Sequence, residues 1–271
     1  MTDAELLQGY IADMRFRNLQ ESSIRVRERY FAKFIKEVGF QTATEQKIVT
    51  WLGRPSLGPK SRSMWISTIT AFYTWANHAH VFADTPMGDG WNPIQDIAKP
   101  RLHGRNPRPM PTDDLRRAIA LADQRMKVWL LLGGLAGCRC MEIAGLIRED
   151  IRDDSMTLHL IGKGDKERFV PLHPDILDAL HEWGMPEEGR LWGDETPASV
   201  SRKINRFLHG AVKTKFTAHT LRHFAGTAWY QGCQDLRAVQ ELMGHASPQT
   251  TAGYAAPDMS KSAAIVGSIH I

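Results

Sequence analysis

The sequence predicts a mainly α-helical chain in two domains, the second carrying a small antiparallel β-sheet. Three observations predict it: helical spacing of apolar residues over positions 3 to 80, a basic proline-rich stretch near position 100, and two short apolar or alternating runs flanking a Gly-Lys-Gly loop. At 271 residues the chain exceeds what one core usually fills and suits two.

In the first domain, Leu6, Leu7, Tyr10, Ile11 and Met14 share one helical face, and Ile24, Tyr30, Phe31, Phe34, Ile35 and Val38 share another. Thr42 with Glu45 suits a capping box ahead of Ile48, Val49, Trp51 and Leu52. Ser63 to His80 supplies a longer helix whose Trp65, Phe72, Tyr73 and Trp75 fall at core spacing, although such rings can also stack on bases. Between Lys99 and Pro111 lie four basic residues, four prolines and no acid, which suits an extended strap and a domain boundary.

In the second domain, Thr112 with Asp113 and Asp114 starts a helix, and the apolar run through Leu132 continues as a buried one ending in Gly133, Gly134 and Gly137. Met156 to Ile161 and Arg168 to Leu172 flank Gly162-Lys163-Gly164-Asp165-Lys166, the pattern of a hairpin with a tight loop. From Thr217 the pattern is helical again, with Gly244 as a stop and Ser247-Pro248 as a new start.

Bulk properties exclude some classes. The longest apolar runs fall far short of a bilayer span, and Met1 to Gln8 carries two acids and no base, unlike a signal peptide. A cytoplasmic protein with no membrane partner is expected. Three cysteines make no paired framework, so they are read as reduced and structural, with a redox role for Cys138 or Cys140 as the alternative. The net charge of +4 is concentrated at the front: residues 1 to 110 hold 15 Lys and Arg against 10 Asp and Glu. That excess suits an anionic partner or a solvated helical surface.

His219 and Arg222 stand at i and i+3 on a predicted helix, so both can address one small anion. Alone, such a pair is common chance. Here Leu242-Met243-Gly244-His245 follows, then Thr251-Ala252-Gly253-Tyr254, while upstream Arg139 sits at a glycine-broken junction between helices.

This ordered set resembles the catalytic domain of the tyrosine recombinases, or phage integrase family. The matching motifs are Gly-x-Arg-x-x-Glu, a Gly-Lys-Gly hairpin followed by Lys-x-Arg-x-x-Pro-Leu, His-x-x-Arg, Leu-x-Gly-His, and a tyrosine nine positions later. They fall on Arg139, Lys163, His219, Arg222, His245 and Tyr254 and cover most of residues 110 to 258. Ser23 to Gly39, Ser61 to Ala76 and Asn92-Pro93 resemble the family's helical core-binding domain. Met243, where leucine is common, and a long Pro86 to Gly90 loop depart from the pattern.

The resemblance implies a helical, SAM-like core-binding domain over 1–95, a basic linker over 96–111, an α+β catalytic domain over 112–258, and a tail over 259–271. It implies a site-specific recombinase that cuts and rejoins double-stranded DNA through a covalent 3′-phosphotyrosine, for integration or excision of a phage or mobile element. The partners implied are a C-shaped clamp's DNA duplex, a homotetramer on two DNA sites and an accessory directionality factor, in a bacterial host's nucleoid. The chain starts at the first core-binding helix, so a simple-site enzyme without an arm-binding domain is expected.

The chemistry asks for the same residue types. Two arginines, Arg139 and Arg222, can clamp the non-bridging oxygens of a phosphodiester under attack. Tyr254 is the nucleophile, His219 its base, and Lys163 the acid for the leaving 5′ oxygen. His245 completes the hydrogen bonding around the phosphate or supports Tyr254. The tyrosyl ester conserves the broken bond's energy, so no cofactor and no metal are expected; a zinc cluster of His219, His223 and His245 is the rejected alternative. Phosphate contacts are expected from Arg15, Arg17, Arg25, Arg27, Arg29, Lys33, Lys60, Arg62, Lys99, Arg101, Arg105 and Arg108. The apolar tail is expected to dock on a neighbouring protomer, or else on its own domain. Two rival readings are a non-catalytic DNA-binding regulator with this fold and a type IB topoisomerase-like enzyme.

Overall fold

A computed structural model describes residues 1–102, 109–162, 164–212 and 215–244. Arg105, Arg108, Lys163, His245, Tyr254, the Ser247-Pro248 helix start and the tail lie outside the described residues. The chain divides into two compact units, Met1–Gly104 and Arg105–Ile271.

The first unit is built on four helices, α1 (Asp3–Phe16), α2 (Glu21–Glu37), α3 (Glu45–Leu52) and α4 (Pro59–His78). Thr2 and Glu5 close a reciprocal cap on α1, and Pro59 supplies a preset φ at the first turn of α4. The cap of α3 is Thr44, whose side chain accepts from the Lys47 N–H, not the expected Thr42. Thr42 instead donates its hydroxyl to the Val38 carbonyl (2.5 Å), satisfying a backbone group left over at the end of α2. The core is aromatic. Phe40 stacks on Phe72 at 3.7 Å, while Tyr10 meets Phe31 and Phe72 edge to face. Trp65, Phe72 and Tyr73 are buried, so their helical spacing reflects packing and not a base-stacking surface.

The second unit begins with α5 (Thr112–Leu121), α6 (Gln124–Gly134) and α7 (Cys140–Gly145). Residues Val128 to Leu132 of α6 are all buried because the helix is covered by neighbours including α8 (Pro174–Trp183) and α10 (Ala218–Cys233). A 3-10 turn (Arg148–Asp150) leads into strands β1 (Ile151–Arg152), β2 (Thr157–Ile161) and β3 (Glu167–Pro171), paired antiparallel in that order. Gly162 N–H donates to the Lys166 carbonyl (2.7 Å), closing the β2–β3 hairpin expected from the sequence. β1 is too short for any alternation to announce it.

Helix α8 packs on α6 and α9 (Pro197–Ala211) on α7, and α11 (Leu236–Met243) follows α10. Gly244 ends α11 in the left-handed region, as its position suggested. Trp129, Trp183 and Trp192 form a contiguous ring cluster, and the Trp192 indole donates to the Ile143 carbonyl on α7 (2.6 Å). Among the described residues no helix is long and apolar enough to cross a membrane.

Candidate active site

The site is assembled where α6 ends and α7 begins. Gly137 turns the chain with φ +61°, and a Cβ there would lie 3.1 Å from Trp229 and 3.3 Å from Met243, so a side chain has neither the conformation nor the room. The turn delivers Arg139 to the N-cap of α7. Its backbone N–H donates to Glu142 Oε2 (2.6 Å) and its guanidinium to Oε1 (2.8 Å).

Glu142 has no side-chain exposure and gathers two further guanidinium groups. Arg168, on β3, donates through Nη2 to Glu142 Oε2 (3.0 Å) and to the Gly137 carbonyl (3.3 Å), and through Nη1 to the Leu242 carbonyl. Arg222, on α10, donates to the carbonyls of Gly137 and Met243 and lies 3.9 Å from Glu142. Two guanidinium groups therefore bond the carbonyls at the end of α11, where the helix dipole favours a cation. Burial pushes the Glu142 carboxyl up, but the hydrogen bond and charge of Arg168, then the Arg139 backbone bond and charge, hold it below the usual carboxylate range. Three cations around one anion leave a net positive pocket, suited to a phosphodiester.

Arg139 is the partly exposed member of the three, with 32% of its side chain open, against 7% for Arg168 and 2% for Arg222. His219 stands one turn before Arg222 and remains open to solvent. Packing about its ring, then the charges of Arg222 and Arg139, depress its pKa, which keeps the imidazole neutral and able to accept a proton. His223 meets His219 edge to face at 4.4 Å. Among the described residues no set of three or more His, Cys, Asp and Glu side chains is arranged to hold a metal ion. Burial, followed by the charge of Glu142, pushes the Cys138 thiol up to about 12, which makes it an inert core group.

Of the six expected catalytic residues, Arg139, His219 and Arg222 are thus brought to one pocket. Lys163, His245 and Tyr254 lie outside the described residues, though Gly162, one residue before Lys163, sits with its Cβ position 3.4 Å from Glu142 Oε1 and 3.9 Å from the Arg139 guanidinium. Sequence reasoning gave no role to Glu142 and Arg168, which stood inside the motifs. The signal that could have found them was an arginine at an inward β3 position beside Val170, where an aliphatic residue is normal.

The expected DNA contacts differ in their neighbours. Arg15 pairs with Glu21, Arg17 with Asp13 and Lys33 with Glu37, while Arg27 reaches the Met14 sulfur and Arg62 the Gly53 carbonyl. Among the described residues Arg25, Arg29, Lys60, Lys99 and Arg101 make no ion pair and are exposed. They are the ones most open to an anionic partner.

Residues 109–261 match the phage integrase family. The tyrosine recombinase XerC of Rhodospirillum centenum is 30% identical over 236 residues, covering 79% of this chain and 67% of that one. Among solved structures, the integrase from mycobacterium phage Brujita is 25% identical with a TM-score of 0.50, over 95% of this chain and 89% of that one. The XerH site-specific recombinase bound to palindromic difH substrate, in a post-cleavage complex, has 19% identity and a TM-score of 0.69 over 93% of this chain and 81% of that one. At that identity the likeness concerns the fold.

Proposed function

The chain belongs to the phage integrase family, and from that membership we propose that it is a tyrosine site-specific recombinase that cuts and rejoins double-stranded DNA, with Tyr254 as nucleophile. The observation that carries the reading is the meeting of Arg139 and Arg222 around one buried carboxylate, with His219 a turn away, inside the family-matched region.

In the proposed reaction the Tyr254 oxygen attacks the scissile phosphorus and the bond to the 5′ oxygen breaks, leaving a 3′-phosphotyrosine. The tyrosine proton passes to His219, and Lys163 gives a proton to the departing 5′ oxygen. Arg139 and Arg222 hold the non-bridging oxygens as charge gathers on them, and His245 adds a hydrogen bond. A 5′ hydroxyl from the other duplex then reverses the steps. One phosphodiester replaces one tyrosyl ester, so neither ATP nor a metal is required by the balance.

Two duplexes exchanged strand for strand need four cuts, and one nucleophile per chain calls for four copies, which supports a homotetramer on two DNA sites. Likeness to a phage integrase supports use in integration or excision of a phage or mobile element. The palindromic difH substrate held by XerH, and the lambda integrase (residues 75-356) bound to DNA, support DNA as the partner.

The test is a covalent-trapping assay with nicked suicide duplexes tiled across DNA flanking the gene, in EDTA, resolved on a denaturing gel. The expected result is an adduct that disappears in Tyr254→Phe. Tight, specific binding without an adduct at any site would overturn the cleavage mechanism.

A further inference from the structure

We infer that Arg168 is a positioning residue for strand cleavage, fixing the Arg139 and Arg222 guanidinium groups through the two acceptors it shares with them; the inference rests on the recombinase reading above.

Arg168 occupies an inward position of β3 in a hairpin whose other inward residues, Leu158, Leu160 and Val170, are aliphatic. An aliphatic residue would anchor the strand without desolvating a charge, which costs several kcal/mol per ion even after relaxation. What the guanidinium adds is reach. Its Nε and Nη2 address both oxygens of Glu142 (3.4 and 3.0 Å), Nη2 also meets the Gly137 carbonyl (3.3 Å), and Nη1 meets Leu242. One planar fork thereby joins β3, the turn before α7, α7 itself and the end of α11.

Both shared acceptors belong to the phosphate-facing arginines. Glu142 orients Arg139, and the Gly137 carbonyl accepts from Arg222. The Nε, Nη1 and Nη2 of Arg168 are all engaged by acceptors of the protein itself, Glu142, Leu242 and Gly137. Its effect on chemistry therefore runs through the other two, and a lysine, with a single point charge, cannot bridge the same four segments. A displacement of about 1 Å at reacting groups can cost about 100-fold in rate.

Arg168 also controls a proton. Glu142 is faced by Arg139 at the head of α7, Arg168 from β3, Arg222 from α10 and the Cys138 thiol from the preceding turn. Removing the β3 cation lets burial raise the Glu142 carboxyl and exposes its titration.

Arg168→Lys and Arg168→Met are compared with the wild type in single-turnover cleavage of the trapped duplex, in binding of that duplex, in thermal melting and in the pH profile of cleavage. Arg168→Lys is expected to stay folded at the assay temperature and to bind as the wild type does while cleaving about 100-fold more slowly, more than its lowered melting accounts for. Arg168→Met is expected to move the acid-side loss of cleavage to higher pH than in either of the others. Arg168→Lys cleaving at the wild-type rate, or losing cleavage only in step with binding or melting, overturns the inference alone. A wild type that never forms a Tyr254-dependent adduct overturns the functional reading and the inference with it. If Arg168→Met does not fold, Arg168→Lys decides.

Discussion

Protonation of His219 sets the acid limit of the proposed cleavage. Its pKa in the fold lies below the ordinary 6.5, so the neutral base survives to lower pH than a free imidazole would. Cleavage rates on the suicide duplex are expected to hold through pH 6.5 and fall only below it; a fall centred above that value would remove His219 as the base. The same shift makes the unfolded chain take up the proton first. The group's contribution to stability is complete above 6.5 and is lost as pH falls toward the folded value. Glu142 has a pKa below the ordinary 4.5, so its contribution is present above 4.5 and lost as pH falls through the lowered value. Glu142→Gln is expected to cost about 3–5 kcal/mol, since it leaves buried guanidinium groups uncompensated, and urea unfolding measures it. The Cys138 thiol, held protonated, is expected to resist alkylation in the native state while exposed Cys233 reacts, as mass mapping would reveal. The motif pattern made Arg139, His219 and Arg222 legible because each belongs to a spaced signature. Glu142 and Arg168 stood inside the same signatures, but their role stayed hidden because the buried ion network they form joins segments distant in sequence.

Among the elements, the Gly137 turn carries the most consequence. Gly137→Ala forces an L side chain into the left-handed region, at about 1–2 kcal/mol, and presses a methyl against Trp229. Both stability and cleavage are expected to fall, and a variant that melts normally and cleaves normally would show that the Gly137 carbonyl is not needed where it is. The helices were legible where apolar residues repeat strongly, as in α1, α2 and α4. The boundary of α3 slipped from Thr42 to Thr44 because two threonines stood near its start and only tertiary context assigned Thr42 to the end of α2. Helices α8 and α9 went unpredicted: their His173-Pro174 and Thr196-Pro197 starts stand in a stretch without a chemical motif. β1 holds two residues and exists only through its pairing with β2.

At the scale of the whole molecule, the basic excess lies in residues 1 to 110. Arg25 and Arg29, exposed and without an ion pair among the described residues, stand one turn apart on α2, and replacing both with alanine is expected to weaken duplex binding. It should also flatten the slope of log K against log salt by about 0.9 for each DNA phosphate that the variant no longer neutralises. An unchanged slope would assign these residues to a solvated surface. The hydrogen bond from Trp192 to Ile143 has a further consequence. An indole whose N–H is tied to α7, beside the residue that organises the guanidinium groups, is a fluorophore wired to the site. Its emission, isolated by replacing the other seven tryptophans with phenylalanine, would report movement of α7 in real time as DNA is engaged, with no dye attached.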